Sequence, residues 1–353
     1  MKAVLALQDG SMYEAISFGA EGERLAEVSF YTGVVGYQEV STSSSNANKF
    51  ILMTYPLIGN YGTAKKFNES GQSRVAGLII KEKSRISSNW QAEKDFVNFL
   101  KKENILAIEG LDTQAVMVQL RRSGEQLGII STKDFNEKSL KKKLEKAEKQ
   151  EQRCLDKICV KKITRICKGS PAIGILDIGV SNNLLKQLKL LGCEVSLIPY
   201  SIPAQDILKL LPKGMLISDG PEADRDIYAA IDTVKKILGK IPILGIGTGC
   251  QVLARAMGAR IRKMPLGHHG VNYPVMRPGS LKGEITHQNH SYAIQEDTLS
   301  GKDIEVTWRN LNDNTVEGIK NNKLNAEGFQ FDLVWPAAGQ TNPFLDNFIQ
   351  NLK

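Results

Sequence analysis

The segment from Pro242 to Gln251, PILGIGTGCQ, decides the fold of the C-terminal half of the chain. An apolar run meets glycines and then a helical pattern, which predicts a strand, a sharp turn and a helix in succession. This geometry raises the turn residue above the end of a sheet and directs helix N–H groups toward it. The glycine spacing also suggests a dinucleotide-binding loop, but that fingerprint requires glycine where this chain has Cys250.

A regular alternation of strands and helices surrounds this segment and begins after Pro171. The predicted strands are Ile173–Ile178, Glu194–Ile198, Gly214–Ser218 and Ile241–Ile246, and the predicted helices are Asn182–Leu190, Ala204–Leu211, Asp226–Leu238 and Gly249–Met257. Such an alternation predicts a mostly parallel sheet with helices on both faces. Because ligands bind beyond the carboxyl ends of such strands, we expect the turns Asp219–Pro221 and Gly247–Gly249 to lie side by side.

The N-terminal half has a less regular pattern that predicts a mixed α/β domain over residues 1–131. Its predicted strands are Val4–Leu7, Glu27–Phe30, Ile51–Thr54 and Val75–Ile80, and its predicted helices are Glu93–Lys101 and Thr113–Arg122. With 353 residues the chain has room for two domains of ordinary size. We therefore predict an α/β protein whose second domain covers residues 171–353.

A basic connector is predicted between the two domains, over residues 132–170. It has 13 basic and 6 acidic residues, so it supplies most of the net charge of +8. A solvated connector explains this charge best, and an acidic protein partner is the next interpretation. A nucleic-acid partner is not expected because no aromatic-rich face accompanies the charge. Leu140, Leu144 and Ala147 recur at helical spacing and predict one exposed helix.

Composition further restricts the class of protein. No apolar run reaches about 18 residues, so no membrane span is expected. The N-terminal MKAVLALQDG is interpreted as a first strand and a turn, not as a signal peptide. The five cysteines are an odd number without a CxxC pair, which indicates reduced thiols in a cytoplasmic protein. No metal site and no cofactor are predicted.

Several longer motifs carry a resemblance to a known family. They are Gly36–Glu39 (GYQE), Thr54–Asn60 (TYPLIGN) with Gly62, Asp112–Thr113, Ser218–Pro221 (SDGP), Gly267–Gly270 (GHHG) and Gln288–His290 (QNH). In this order and at these spacings the chain resembles the carbamoyl phosphate synthetase small subunit over almost its whole length. The resemblance implies a family-specific N-terminal domain, a class I glutamine amidotransferase domain and a large ATP-using synthetase subunit as partner. It implies a carbamoyl phosphate product for arginine, pyrimidine or another pathway.

The catalytic positions that the resemblance identifies are all changed. The family carries its cysteine nucleophile in G-I-C-L-G-H-Q, and its histidine base and glutamate in H-P-E. This chain has Gly247 at the cysteine position, Asp332 at the histidine position and Val334 at the glutamate position. The sequence offers no substitute base near its C-terminus, because its histidines are His268, His269, His287 and His290. The resemblance therefore implies that this chain does not hydrolyse glutamine.

The loop and the substrate pocket of the family are partly retained. The family loop N-G-P-G-D-P reads DGPEAD over Asp219–Asp224, so Glu222 replaces a glycine. An inward Glu222 carboxylate would repel a developing oxyanion, whereas a loop glutamate commonly faces solvent. The positions matched to glutamine-binding residues are Ser45, Gly220, Gln251, Asn289 and Tyr292. Each of these residues also fits an ordinary role in a loop or cap.

Three functional hypotheses follow. The leading one is a non-catalytic small subunit that stabilises or regulates the large synthetase subunit, which then uses free ammonia. The first alternative is a residual or altered amidohydrolase that uses Cys250 or Thr248, although a buried, inert thiol fits Cys250 better. The second alternative is a sensor that binds glutamine without cleaving it. A diverged copy without a selected function is also compatible with the sequence.

Overall fold

A computed structural model describes residues 1–147, 153–333 and 339–352 of the protein. The chain divides into two compact units. The first spans Met1–Glu151 and Pro265–His269, and the second spans Gln152–Met264 and Gly270–Lys353. Among the described residues, no helix combines the length and apolar character needed to cross a membrane.

The first unit is built mainly from strands. Its helices and strands in the described residues are β1 (Lys2–Leu7), β2 (Met12–Ser17), β3 (Glu23–Tyr31), α1 (Tyr37–Thr42), β4 (Lys49–Met53), β5 (Leu57–Ile58), β6 (Gly77–Ile79), β7 (Glu82–Lys83), α2 (Phe96–Lys102), β8 (Leu106–Glu109), α3 (Thr113–Ser123), β9 (Gln126–Ser131) and α4 (Glu137–Ala147). The order β1-β2-β8-β6-β4-β3-β9 closes into a barrel, while β5 and β7 form a separate pair. The predicted mixed α/β domain is confirmed, although its closure was not predicted.

Strand β4 shows how the first unit forms two apolar layers. All five of its residues are buried. Phe50 and Leu52 belong to one apolar cluster, which also holds the buried apolar residues of α3. Ile51 and Met53 belong to another, which also holds those of α2. Because successive strand residues point to opposite faces, this apolar run places a layer of core on each side of the strand.

The connector region contains elements of both units. Leu140 and Leu144 of α4 are buried against Val4, Ala6 and Ile129 in the first unit. The expectation of an exposed helix was therefore wrong for this face, because its leucines have an apolar partner in the barrel strands. Helix α5 (Leu155–Ile158) and strand β10 (Thr164–Cys167), further along the connector, belong to the second unit.

The second unit is built around the predicted parallel sheet. Besides α5 and β10, its elements are β11 (Ala172–Asp177), α6 (Asn182–Leu190), β12 (Glu194–Pro199), α7 (Ala204–Lys209), β13 (Gly214–Ile217), α8 (Ile227–Ile237), β14 (Ile243–Ile246), α9 (Thr248–Ala256), β15 (Ile261–Met276), β16 (Gly283–Ile294), β17 (Glu305–Asn310), β18 (Val316–Asn321), β19 (Ala326–Phe329) and α10 (Pro343–Gln350). Residues Pro265–His269 of β15 belong to the first unit. The sheet order is β10-β12-β11-β13-β14-β19-β18-β16-β15-β17. Strands β12, β11, β13, β14 and β19 are parallel neighbours. The antiparallel strands after β14 were not predicted.

Helices cover both faces of the parallel strands. Strand β11 sends Leu176 to one face, where α8 and α9 bury their apolar residues. It sends Ile175 to the other face, where α6 and α10 pack. The predicted three-layer arrangement is confirmed, and the carboxyl ends of β13 and β14 lead directly into the turns at Asp219 and Gly247.

The docking of α4 can be tested by removing one leucine. Leu144→Ala should lower the free energy of unfolding by about 2–4 kcal/mol, because it opens a cavity in a buried cluster. Lys141→Ala, on the exposed side of the same helix, is the matched control and should change it by less than about 0.5 kcal/mol. Chemical denaturation followed by circular dichroism measures both. Equal stability of the two variants would show that α4 is not docked.

Candidate functional site

Gly247 forms the turn between β14 and α9. Its backbone has φ 57° and ψ −123°, a conformation that residues with a side chain rarely adopt. Its N–H donates to the Phe329 carbonyl of β19 at 2.8 Å. The helix that follows starts very close to the sheet, since a Cβ on Gly249 would lie 2.7 Å from the Ser218 carbonyl oxygen. The predicted strand, sharp turn and helix are therefore confirmed.

The Asp219 carboxylate lies directly over this turn. Its Oδ1 accepts a hydrogen bond of 2.9 Å from the backbone N–H of Thr248, the first residue of α9. A carboxylate is favoured there by the positive end of the helix. A Cβ on Gly247 would lie 2.6 Å from the Asp219 Cγ. Asp219 therefore occupies both the space of a side chain at position 247 and the N–H that an oxyanion would need.

The carboxyl group of Asp219 titrates near neutrality. Burial raises its pKa, the charge of Asp332 raises it further, and hydrogen bonds from the backbone of Thr248 and Gly220 oppose the rise. The resulting pKa is about 7, against an ordinary value of 3.8. The turn thus holds a carboxyl group that changes charge in the physiological range.

Asp332, at the histidine position of the family, lies after β19 and pairs with a histidine of β16. Its Oδ2 lies 2.6 Å from Nδ1 of His287 on β16, and about a quarter of each side chain is exposed. The Asp332 backbone N–H also donates to the His287 carbonyl at 2.9 Å. Val334, the third changed position, lies outside the described residues. Sequence reasoning named His287 but missed this pair, because no motif joins the two positions.

Glu222 points into the protein. It is only 5% exposed, so of the two directions considered for its carboxylate the inward one is found. Its Oε1 accepts from Gln251 Nε2 at 2.6 Å and from the Tyr292 N–H at 3.2 Å. Its Oε2 accepts from the Ser291 N–H at 2.7 Å. Donors on α9 and β16 compensate the burial of this carboxylate.

Three of the five residues matched to glutamine-binding positions lie at this site. Gln251 and Tyr292 contact Glu222, and the Gly220 carbonyl accepts from the Thr248 hydroxyl at 2.6 Å. Asn289 lies on β16 and is partly buried. Ser45 belongs to the first unit, where its hydroxyl lies 2.7 Å from that of Ser43.

Cys250 is enclosed within the apolar packing of α9. It is fully buried in a cluster with Ala254, Ile294 and Ile319. Burial, reinforced by the charge of Glu317, raises the pKa of its thiol well above the ordinary value. A thiol in this environment stays protonated and is a poor nucleophile.

Comparison with known proteins identifies the class of each half. Residues 5–130 match the family model of the carbamoyl-phosphate synthase small chain, CPSase domain. Residues 174–332 match that of class I glutamine amidotransferases. The second match agrees with a parallel sheet that ends in a strand–turn–helix at Gly247.

Relatives that match almost the whole chain identify a single family. The chain is 38% identical to the carbamoyl phosphate synthase small chain of Syntrophotalea carbinolica, with 94% of this chain and 92% of the relative covered. It is 34% identical to the pyrimidine-specific small chain of Bacillus subtilis, with 100% and 96% covered. It is 36% identical to the chloroplastic small chain of Arabidopsis thaliana, with 93% and 80% covered. The chain belongs to the carbamoyl phosphate synthase small-chain family.

The contact between Asp219 and Gly247 predicts a coupled pair of substitutions. Gly247→Ala should lower the free energy of unfolding by about 1–3 kcal/mol, because it adds backbone strain and displaces the carboxylate. In an Asp219→Ala background the same change should cost less, with a coupling of about 0.5–2 kcal/mol. Denaturant titration of the four proteins measures this cycle.

Gly279→Ala is the matched control for the cycle. Gly279 also has a positive φ, of 76°, but a Cβ there would meet no atom within 4 Å. Its cost should be the same with or without Asp219. If Gly247→Ala lowers the free energy of unfolding equally in the wild-type and Asp219→Ala proteins, the contact is contradicted.

The raised pKa of Asp219 predicts a pH-dependent stability. The folded protein holds a proton there between about pH 4 and pH 7 that the unfolded chain has lost, so stability falls as the pH rises through this range. Asp219→Asn should remove this decline and raise the free energy of unfolding at pH 8 by about 1–3 kcal/mol. Melting curves at pH 5 and pH 8 measure the effect.

Asp232→Asn is the control for that experiment, because Asp232 is an exposed residue of α8. It should leave the shape of the pH profile unchanged. If Asp219→Asn is equally stabilising or destabilising at both pH values, the carboxyl group does not titrate in this range.

Proposed function

We propose that this chain is a small subunit that does not hydrolyse glutamine and that supports a large synthetase subunit using free ammonia. The observation that carries the proposal is the hydrogen bond from the Thr248 N–H to Asp219. A nucleophile at the turn needs a side chain, and Gly247 has none. A developing oxyanion needs free N–H donors at the helix start, and this donor is already bound to the Asp219 carboxyl oxygen.

The remaining catalytic positions support the same proposal. Asp332 cannot act as the imidazole base of a cysteine nucleophile, and it is paired with His287. The partly exposed His287 side chain has no nucleophile to activate at position 247, since that residue is glycine. General-base activation requires both partners within hydrogen-bond reach.

The scaffold supports a role in an assembly. The relatives are small chains of carbamoyl phosphate synthase, and the match extends over both halves of this chain. A chain that keeps the family fold but has no nucleophile at the turn suits a structural or regulatory partner. All five cysteines, which lie in the described residues, are free thiols, and this supports a cytoplasmic location for the proposed complex.

The two alternative hypotheses receive less support. The amidohydrolase would need Cys250, which is buried and protonated, or Thr248, whose hydroxyl donates to the Gly220 carbonyl. The glutamine sensor would need Gln251 and Tyr292 to receive a ligand, whereas both contact Glu222.

The decisive experiment compares nitrogen donors. Carbamoyl phosphate formation is measured with the purified large subunit, with and without this chain, and with ammonium or glutamine. We expect the chain to change the ammonium-driven rate, and we expect glutamine to give no rate above that of the large subunit alone. A glutamine-driven rate that equals the ammonium-driven one would refute the proposal.

Two controls separate the hypotheses. Cys250→Ala should leave both rates unchanged, and any glutamine turnover that disappears with this substitution would establish the amidohydrolase instead. Co-purification of the two subunits tests the assembly directly. A complete lack of association at micromolar concentrations would contradict the partner role.

A further inference from the structure

Glu222 makes the contacts of a bound ligand. Its two oxygens accept from three donors, which are the Gln251 side-chain amide and the consecutive N–H groups of Ser291 and Tyr292. The donors come from α9 and β16, which are far from Glu222 in sequence. They converge on two oxygens of one carboxylate, which is the recognition pattern of a carboxylate-binding site.

The loop that carries Glu222 is fixed at both ends. Asp219 accepts from the Thr248 N–H at 2.9 Å on one side. Asp224 accepts from the Leu155 N–H at 3.1 Å and from the Asp226 N–H at 2.8 Å on the other. Between them, Gly220 passes so close to Ile178 that a Cβ would lie 2.8 Å from its carbonyl carbon. The loop therefore presents Glu222 to its donors with little freedom to withdraw.

We propose that Glu222 is the built-in occupant of a carboxylate-binding site, and that it excludes free carboxylate ligands, amino acids included. A tethered ligand acts at an effective concentration that free ligands at millimolar levels do not exceed. Loss of the Glu222 carboxylate would leave buried donors without their acceptor, which is unfavourable. A free carboxylate that enters the vacated space would restore those hydrogen bonds.

Substitution with glycine tests the proposal by chemical rescue. Glu222→Gly should bind formate or acetate, and binding should raise its melting temperature by roughly 2–4 °C at saturation. The wild-type protein should show no such shift, because its site is full. Sodium chloride at equal ionic strength controls for general salt effects.

Glu222→Gln is the matched control variant. It keeps the size of the side chain, so it leaves no space for formate or acetate and should not be rescued by either. Rescue of Glu222→Gly alone supports the proposal. The proposal is overturned if Glu222→Gly gains nothing from either anion, or if wild type and Glu222→Gln respond to the same extent.

A second set of ligands tests whether binding depends on the carboxylate group of the ligand. Calorimetry with Glu222→Gly compares acetate with glutamine and with glutaminamide, an amide analogue that lacks the carboxylate. Binding of acetate or glutamine without binding of glutaminamide supports a site for carboxylates. Equal binding of glutaminamide and glutamine overturns it.

Hydrogen exchange provides a measurement that does not require Glu222→Gly to fold. The amides of Ser291 and Tyr292 should exchange at least about tenfold more slowly in wild type than in Glu222→Gln, since a hydrogen bond to a charged acceptor is the stronger one. Equal exchange in the two proteins would overturn the proposal. These tests use the purified chain alone, so they succeed or fail independently of the proposed function with the large subunit.

Discussion

The hydrogen bond between the Thr248 N–H and the Asp219 carboxylate organises the centre of the second unit. The first N–H of a helix that follows a tight turn is a good hydrogen-bond donor to anions. The group that accepts this hydrogen bond determines which ligands the turn can bind. Here the partner comes from the end of the adjacent parallel strand. The same carboxylate requires glycine at position 247, because a side chain there would collide with it.

In this arrangement, acidic side chains of the chain itself occupy the donors around the turn. Asp219 covers the helix start, and Glu222 covers the donors of Gln251 and β16. Both acidic residues come from one short loop that is anchored at its two ends. Gly247, which avoids strain at a positive φ, completes the set. A fold does not by itself fix the chemistry of its site, so the same sheet and helix can carry different side chains at this turn.

Local patterns in the sequence predict the regular part of the fold. Strand–turn–helix at Gly247 follows from an apolar run, glycines and helical spacing, and all of these lie within ten residues. Closure of the barrel does not follow, because β1 pairs with β9 through residues as distant as Val4 and Ser131. The pairing of distant strands is set by the whole domain and leaves no periodic signal.

The candidate site likewise has features that can be predicted from the sequence and features that cannot. The glycine at position 247 and the absence of any histidine after His290 can be read from the sequence. The inward direction of Glu222 cannot, because its donors on β16 lie about seventy residues further along the chain. The pairing of Asp332 with His287 is likewise created by the tertiary fold, which brings the segment after β19 next to β16. Side-chain direction in a loop depends on the partners that the tertiary fold provides.

The position of strand β10 gives the basic residues of the connector a structural role. The strand forms one border of the ten-stranded sheet, and within the described part of the chain no further strand pairs with its outer side. Such a border invites the addition of strands from other molecules, and lysines on a short strand discourage it. Lys161, Lys162 and Lys168 flank this four-residue strand. Lysines on both sides of this short strand thus oppose the pairing of a second copy of the chain with this border.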